Sequence, residues 1–145
     1  MNANRYILDK SASRGDIVSN SIYCPTLDKI PRFHKKLKLA VMASGNGTNF
    51  EALSKSIKNN YLDAEISVLI VNKENCNARL RAKYLGIECI FIDHRKYSSR
   101  ESFEEKIIST LDKYKIEAIV MAGWMRIVTP KLIKAYPDRI INIHP

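Results

Sequence analysis

The sequence predicts an α/β fold: a parallel sheet in the order 3-2-1-4-5 with helices on both faces. Three observations predict it. From residue 37 to residue 145, short apolar runs alternate with amphipathic segments without a gap. The runs are continuous rather than alternating, the pattern of strands buried on both faces. The first run also passes through a glycine-bearing turn straight into a helical pattern, which starts a right-handed βαβ series.

Residues 1–36 have little periodicity and scatter Ser, Asn, Arg and Asp around Pro25 and Pro31. They are expected to form a poorly ordered N-terminal extension, with His34 in a solvated His-Lys-Lys linker. The domain proper spans 37–145. Leu37 to Met42 is the first strand. Ser44-Gly45-Asn46-Gly47 breaks it, and Thr48-x-x-Glu51 fits a capping box with Thr48 as N-cap. Phe50, Leu53 and Ile57 then share one helix face, and Asn59-Asn60 ends that helix. Glu65 to Val71 is strand two, apolar and β-branched. Asn72, Asn75 and Asn77 mark a loop and the next helix start. Ala78, Ala82 and Leu85 face inward, and Gly86 closes the helix. Ile87 to Ile92 is strand three. Ser98-x-x-Glu101 offers a second capping box ahead of the stripe Phe103, Ile107, Leu111 and Tyr114. Glu117 to Ala122 is strand four. Thr129-Pro130 opens a short helix with Pro at its first position, and Arg139 to Ile143 is strand five. This is a Rossmann-like arrangement. Strand five is left as an uncovered edge where the sequence stops at Pro145, so the sheet is expected to be incomplete on its C-terminal side.

Ligands in such sheets sit outside the carboxyl ends of the strands. The loops Gly45–Asn49, Asp93–Arg100 and Gly123–Thr129 fall there, as does the end of strand five. A strand that turns through glycines into a helix offers backbone N–H groups and a positive dipole end to an anion, usually phosphate. Gly45 and Gly47 make G-x-G, but Phe50 stands where a dinucleotide motif wants its third Gly, and no Gly-Lys-Ser/Thr follows. A plain tight turn capped by Thr48 is the competing reading, and Glu51 cuts against an anion unless its carboxylate is turned elsewhere. Asn142 and His144 are two apart on a strand and so share a face, with Ile141 and Ile143 on the other. An amide and an imidazole there can hold an oxyanion and move protons near neutral pH. A satisfied strand-end histidine and a turn asparagine is the alternative. His94 lies in an Asp-His-Arg-Lys surface loop.

Composition excludes other classes. The 145 residues are 46% hydrophobic with net charge +9, enough for one domain with a core. Seven Lys/Arg face three Asp/Glu in residues 1–36, and seventeen face twelve in 37–145. The excess is therefore spread out, which suits anionic small molecules in a local pocket or weak nonspecific nucleic-acid binding. No aromatic-and-basic motif points to nucleic acid, and no apolar run approaches a membrane span. Cys24, Cys76 and Cys89 have neither metal spacing nor a pairing pattern, so reduced thiols in a cytoplasmic protein are expected, with no metal.

Three motifs then carry a resemblance. Met42-Ala43-Ser44-Gly45-Asn46-Gly47-Thr48-Asn49 resembles the ribonucleotide loop of the glycinamide ribonucleotide (phosphoribosylglycinamide) formyltransferases of purine biosynthesis. Ala122-Gly123-Trp124-Met125-Arg126-Ile127-Val128 is similar to their folate loop, and Asn142-Ile143-His144-Pro145 to their N-I-H-P signature. The resemblance covers about 37–145. It implies transfer of a formyl group from 10-formyltetrahydrofolate, as co-substrate, to the amine of glycinamide ribonucleotide, through a tetrahedral intermediate and without a metal. By similarity, Gly47, Thr48, Asn49, Phe50 and Glu51 would line the ribonucleotide site. Arg100, Met125, Arg126, Ile127 and Val128 would hold the folate, Asn142 would contact the formyl group, and His144 would stabilise the oxyanion and transfer protons. The family also uses an aspartate downstream of N-I-H-P that is absent from these residues, so the 145-residue chain alone is expected to be inactive. The alternatives are a formyltetrahydrofolate hydrolase, whose signature typically reads N-I-H-H, and a non-catalytic ribonucleotide-binding fragment. A generic dinucleotide-binding half is disfavoured, because strand two ends in Asn72-Lys73 rather than an acidic ribose contact.

Overall fold

Five strands form one parallel sheet in the order β3-β2-β1-β4-β5: β1 (Leu37–Ala43), β2 (Ala64–Val71), β3 (Cys89–Phe91), β4 (Ala118–Ala122) and β5 (Ile140–Ile143). The structure is a computed structural model and describes residues 35–143. The expectations for residues 1–34, His34 among them, and for His144 and Pro145 lie outside the described residues. Four helices, α1 (Thr48–Lys58), α2 (Asn77–Leu85), α3 (Arg100–Lys113) and α4 (Pro130–Ala135), and a 3-10 turn over His94–Lys96 connect the strands.

The two-residue period of the strands sorts the core into two layers. Ala40, Met42, Val68, Ile70, Ile119 and Met121 pack with Phe103, Ile107 and Leu111 of α3 and Leu132 of α4. Leu39, Val41, Ala43, Leu69, Val71, Val120 and Ala122 pack with Phe50 of α1 and Ala78 and Ala82 of α2. Helices therefore cover both faces, α3 and α4 on one and α1 and α2 on the other. Central strands with two covered faces need continuous apolar runs, which is why the runs do not alternate. Each Leu or Ile so buried contributes about 1.5–3 kcal/mol relative to exposure.

Three local expectations are corrected. Thr48 is the first residue of α1, not its cap. The N-cap is Gly47, in the left-handed region at φ 71°, and no side chain caps the helix. Glu51 does not turn back on the N-cap, because it pairs with Arg81, 30 residues away, and with Lys55. The second box is shifted by one residue: Ser99 caps α3 and closes the box with Ser102, not Glu101. Ser102 N donates to Ser99 Oγ at 3.0 Å and Ser99 N to Ser102 Oγ at 3.2 Å, a shorter-reaching pair that leaves Glu101 free in the first turn. Strand three is also shorter than its apolar run. The edge strand β3 pairs Cys89–Phe91 with Leu69–Val71, and flanking backbone bonds from Leu69 N to Glu88 O at 2.8 Å and from Ile92 N to Val71 O at 2.9 Å close the pairing, leaving Ile87 outside it. The remaining ends agree within a residue, and Thr129 caps α4 by accepting from Lys131 N at 3.2 Å, with Pro130 first in the helix.

Candidate functional site

The turn after β1 is shaped from outside. Gly47 is buried, and a Cβ built on it would lie 2.8 Å from both Cα and Cβ of Ala78. Only glycine fits a left-handed residue pressed this closely on another helix. The first ladder bond of α1 runs from Glu51 N to Gly47 O at 3.0 Å. The N–H groups of Thr48, Asn49 and Phe50 thus precede the ladder and have no acceptor among the described residues. Thr48 is exposed and Asn49 half-buried, while the Phe50 side chain is fully buried in the core and leaves only backbone to offer. From α2, Ala78 N donates to Gly45 O at 3.1 Å, Asn77 Nδ2 to Asn46 Oδ1 at 3.0 Å and Arg81 Nε to Asn46 O at 2.8 Å.

The ends of β1, β4 and β5 are tied by backbone. Ser44 N donates to Gly123 O at 3.1 Å, and Gly123 N to Ile143 O at 3.4 Å. Ser44 is buried, and its Oγ accepts from Met125 N at 2.9 Å. The glycine turn and the Gly123–Thr129 loop are therefore one hydrogen-bonded unit. Ser44→Ala leaves the Met125 N–H without its partner. It is expected to cost about 1–2 kcal/mol in urea unfolding and to speed exchange of the Met125 amide. An unfolding curve and a Met125 exchange rate matching the parent would contradict this.

Beyond Ser44, the second loop divides into anchors and a presenting tip. Trp124 is buried and stacks on Phe103, with ring centres 6.2 Å apart. Glu104 is buried and accepts from Thr129 N at 2.6 Å, Leu132 N at 3.2 Å and Thr129 Oγ1. Between these anchors Met125, Arg126 and Ile127 are exposed and Val128 is half-buried. Arg100, the exposed first residue of α3, joins Arg126, Ile127, His94, Tyr97 and Phe103 around a cavity of about 470 Å³. Of the residues expected to act together in this loop region, the cavity brings together Arg100, Arg126 and Ile127. Met125 and Val128 are not among the residues lining it.

His94 is not a free surface residue. It is half-buried in the 3-10 turn, with Nδ1 3.3 Å from Asn72 O and its ring edge-on to Phe103. Asp93 caps that turn, and its hydrogen bonds from Arg95 hold its carboxyl down to about 2. Asn142 lies opposite Met121 in β5, on the α3/α4 face with Ile140, and is exposed. Ile141 and Ile143 take the other face and are also exposed. His144 lies outside the described residues.

Sequence reasoning passed over Arg81, Ser44 and Glu104. Glu104 could have been found, because it sits at helical spacing with the apolar Ile107 and Leu111, an acid inside a core stripe. Arg81 carried no local signal. No cluster of three or more His, Cys, Asp or Glu suited to a metal occurs among the described residues, and no helix there is long and apolar enough to cross a membrane.

Residues 37–145 match the formyl transferase family. The chain belongs to that family. The chain is 38% identical over 108 residues to the phosphoribosylglycinamide formyltransferase of Bacillus subtilis, covering 74% of this chain and 55% of the relative. It is 39% identical over 110 residues to the trifunctional purine biosynthetic protein adenosine-3 of Gallus gallus, covering 76% of this chain and 11% of that protein. Among solved structures, the phosphoribosylglycinamide formyltransferase of Bacillus halodurans superimposes with a TM-score of 0.72 at 39% identity, over 74% of this chain and 56% of that one. The chain thus spans about half the length of the Bacillus subtilis and Escherichia coli relatives it matches.

Proposed function

We propose that this formyl transferase chain supplies the ribonucleotide site, and part of the folate site, for formyl transfer from 10-formyltetrahydrofolate to the amine of glycinamide ribonucleotide in purine biosynthesis. The observation that carries the reading is the uncapped N-terminus of α1. Three N–H groups without an acceptor among the described residues stand at the positive end of an 11-residue helix, on a turn bonded directly to the Met125 loop. The substrate phosphate sits on the amides of Thr48, Asn49 and Phe50, with Gly47 allowing the close approach. Glu51, held to the side by Arg81 and Lys55, faces the ribose hydroxyls rather than the phosphate.

The folate supplies the formyl group when bound. The residues around the Arg100 cavity suit such a molecule: the guanidinium groups of Arg100 and Arg126 outnumber the one carboxylate there, Glu101, and complement carboxylates, and Tyr97, Phe103 and Ile127 give a ring system apolar walls. Asn142 orients the formyl carbonyl and His144 carries the proton; both roles come from the resemblance. The substrates are small molecules, and the proposed setting is the cytoplasm.

Titration calorimetry with glycinamide ribonucleotide and with its dephosphorylated riboside tests the reading on this chain. The ribonucleotide is expected to bind saturably and the riboside about ten-fold more weakly or worse, since a phosphate on helix amides makes charge-assisted hydrogen bonds. Equal affinity for both, or no binding of either, would overturn it.

A further inference from the structure

We propose that Arg81 of α2 is a positioning residue for the ribonucleotide turn. It holds the Asn46 carbonyl in place and draws the Glu51 carboxylate away from the open N-terminus of α1. The link to substrate rests on the ribonucleotide reading above.

Two problems at this turn need an outside solution. The first is shape. No side chain caps α1, so the peptides just before the helix have no local cap to fix them. Ser44 ties the start of the turn to the Gly123 loop, and the restraints on Gly45 and Asn46 come from α2, among them Arg81, whose Nε donates to Asn46 O at 2.8 Å from 35 residues away. The second problem is charge. Glu51 is the acidic residue in the first turn of α1, where its negative charge competes with an anionic ligand for the same dipole end. Lys55, at i+4, is two-thirds exposed, and water screens its pairing strongly. Arg81 is only one-third exposed and reaches Glu51 with a second nitrogen while Nε stays on Asn46. One guanidinium therefore serves both purposes, through the planar fork that a lysine ammonium lacks.

The test uses Arg81→Met, Arg81→Lys and Arg81→Met combined with Glu51→Gln, each with two readouts. The first needs no ligand: exchange of the amides of Glu51 and Ala78, whose acceptors are the carbonyls of Gly47 and Gly45. Arg81→Met is expected to speed both about ten-fold or more, with β1 amides unchanged, because local opening is released without global unfolding. The second readout is affinity for glycinamide ribonucleotide. Arg81→Met is expected to weaken it about ten-fold, as loss of a charge-assisted pair beside a phosphate site does. Arg81→Lys should recover part of that loss by keeping the charge, and Glu51→Gln part of it by removing the competing anion. Exchange and affinity both unchanged in Arg81→Met would overturn the proposal. So would weakened affinity with unchanged exchange and no recovery from Glu51→Gln, which would make Arg81 a direct ligand. Failure of the parent chain to bind the ribonucleotide would overturn the functional reading instead, and amide exchange alone would then decide whether Arg81 holds the turn.

Discussion

Glu104→Ala is expected to destabilise the chain by about 3–5 kcal/mol, the sum of several hydrogen bonds to a buried carboxylate. Thr129 N, Leu132 N and Thr129 Oγ1 all donate to Glu104, which sits at 2% exposure. Alanine leaves these donors without an acceptor and opens a cavity beneath the start of α4. In thermal unfolding the midpoint should fall by roughly 10 °C or more for a domain of this size. Glu104→Gln separates the hydrogen bonds from the volume. Glutamine keeps one acceptor oxygen but turns an NH2 toward a donor, so its cost should be intermediate. The local consequence matters more than the global one. The Glu104 contacts fix the C-terminal base of the loop whose tip is Met125, Arg126 and Ile127. Folate affinity should therefore fall further than ribonucleotide affinity in the glutamine variant. A shift in free energy below about 1 kcal/mol for the alanine variant would mean that these contacts do not anchor the loop.

Gly47→Ala has the second large effect, and a more selective one. The added methyl meets two penalties at once. A non-glycine residue in the left-handed region costs about 1–2 kcal/mol. The Cβ would also lie 2.8 Å from Ala78 Cα, which is backbone and cannot rotate away. Either the turn or the N-terminus of α2 must shift, and the three α1 amides lose their alignment. The expected result is a loss of about 2–3 kcal/mol in urea unfolding together with loss of measurable ribonucleotide binding. Adding Ala78→Gly removes one of the two clashing atoms and leaves the other, so the double variant should recover little. Full recovery would show that only the methyl–methyl contact mattered. Parent-like affinity in Gly47→Ala would show that the turn is not the phosphate site.

The strands, the helices and the place of the loops were legible in the sequence because their causes are local or periodic, and the sheet order followed from the doubly wound fold class those elements imply. Continuous apolar runs mark β1, β2 and β4 as covered on both sides. The stripe Phe103–Ile107–Leu111 marks the buried face of α3, and Thr129-Pro130 marks the start of α4. Gly86 ends α2 in the left-handed conformation at φ 68°. These choices follow from backbone sterics and side-chain spacing within a few residues.

What the sequence determined by itself, then, is a parallel α/β sheet whose strand ends gather the Gly47, Gly123 and Asn142 segments, together with the motifs of a formyl transferase. The tertiary structure decided how the site is held. Thr48 looked like a cap until Gly47 was found pressed on Ala78. Glu51 looked like half of a capping box until Arg81 took it. Ser44 stood in the sequence only as part of the turn after strand one and its motif, yet its hydroxyl joins the glycine turn to Met125, 81 residues on. Each of these depends on a partner from another element. The competition between a local cap and a distant ion pair is settled by which partner the packed sheet brings within reach, and spacing along the chain does not record that distance.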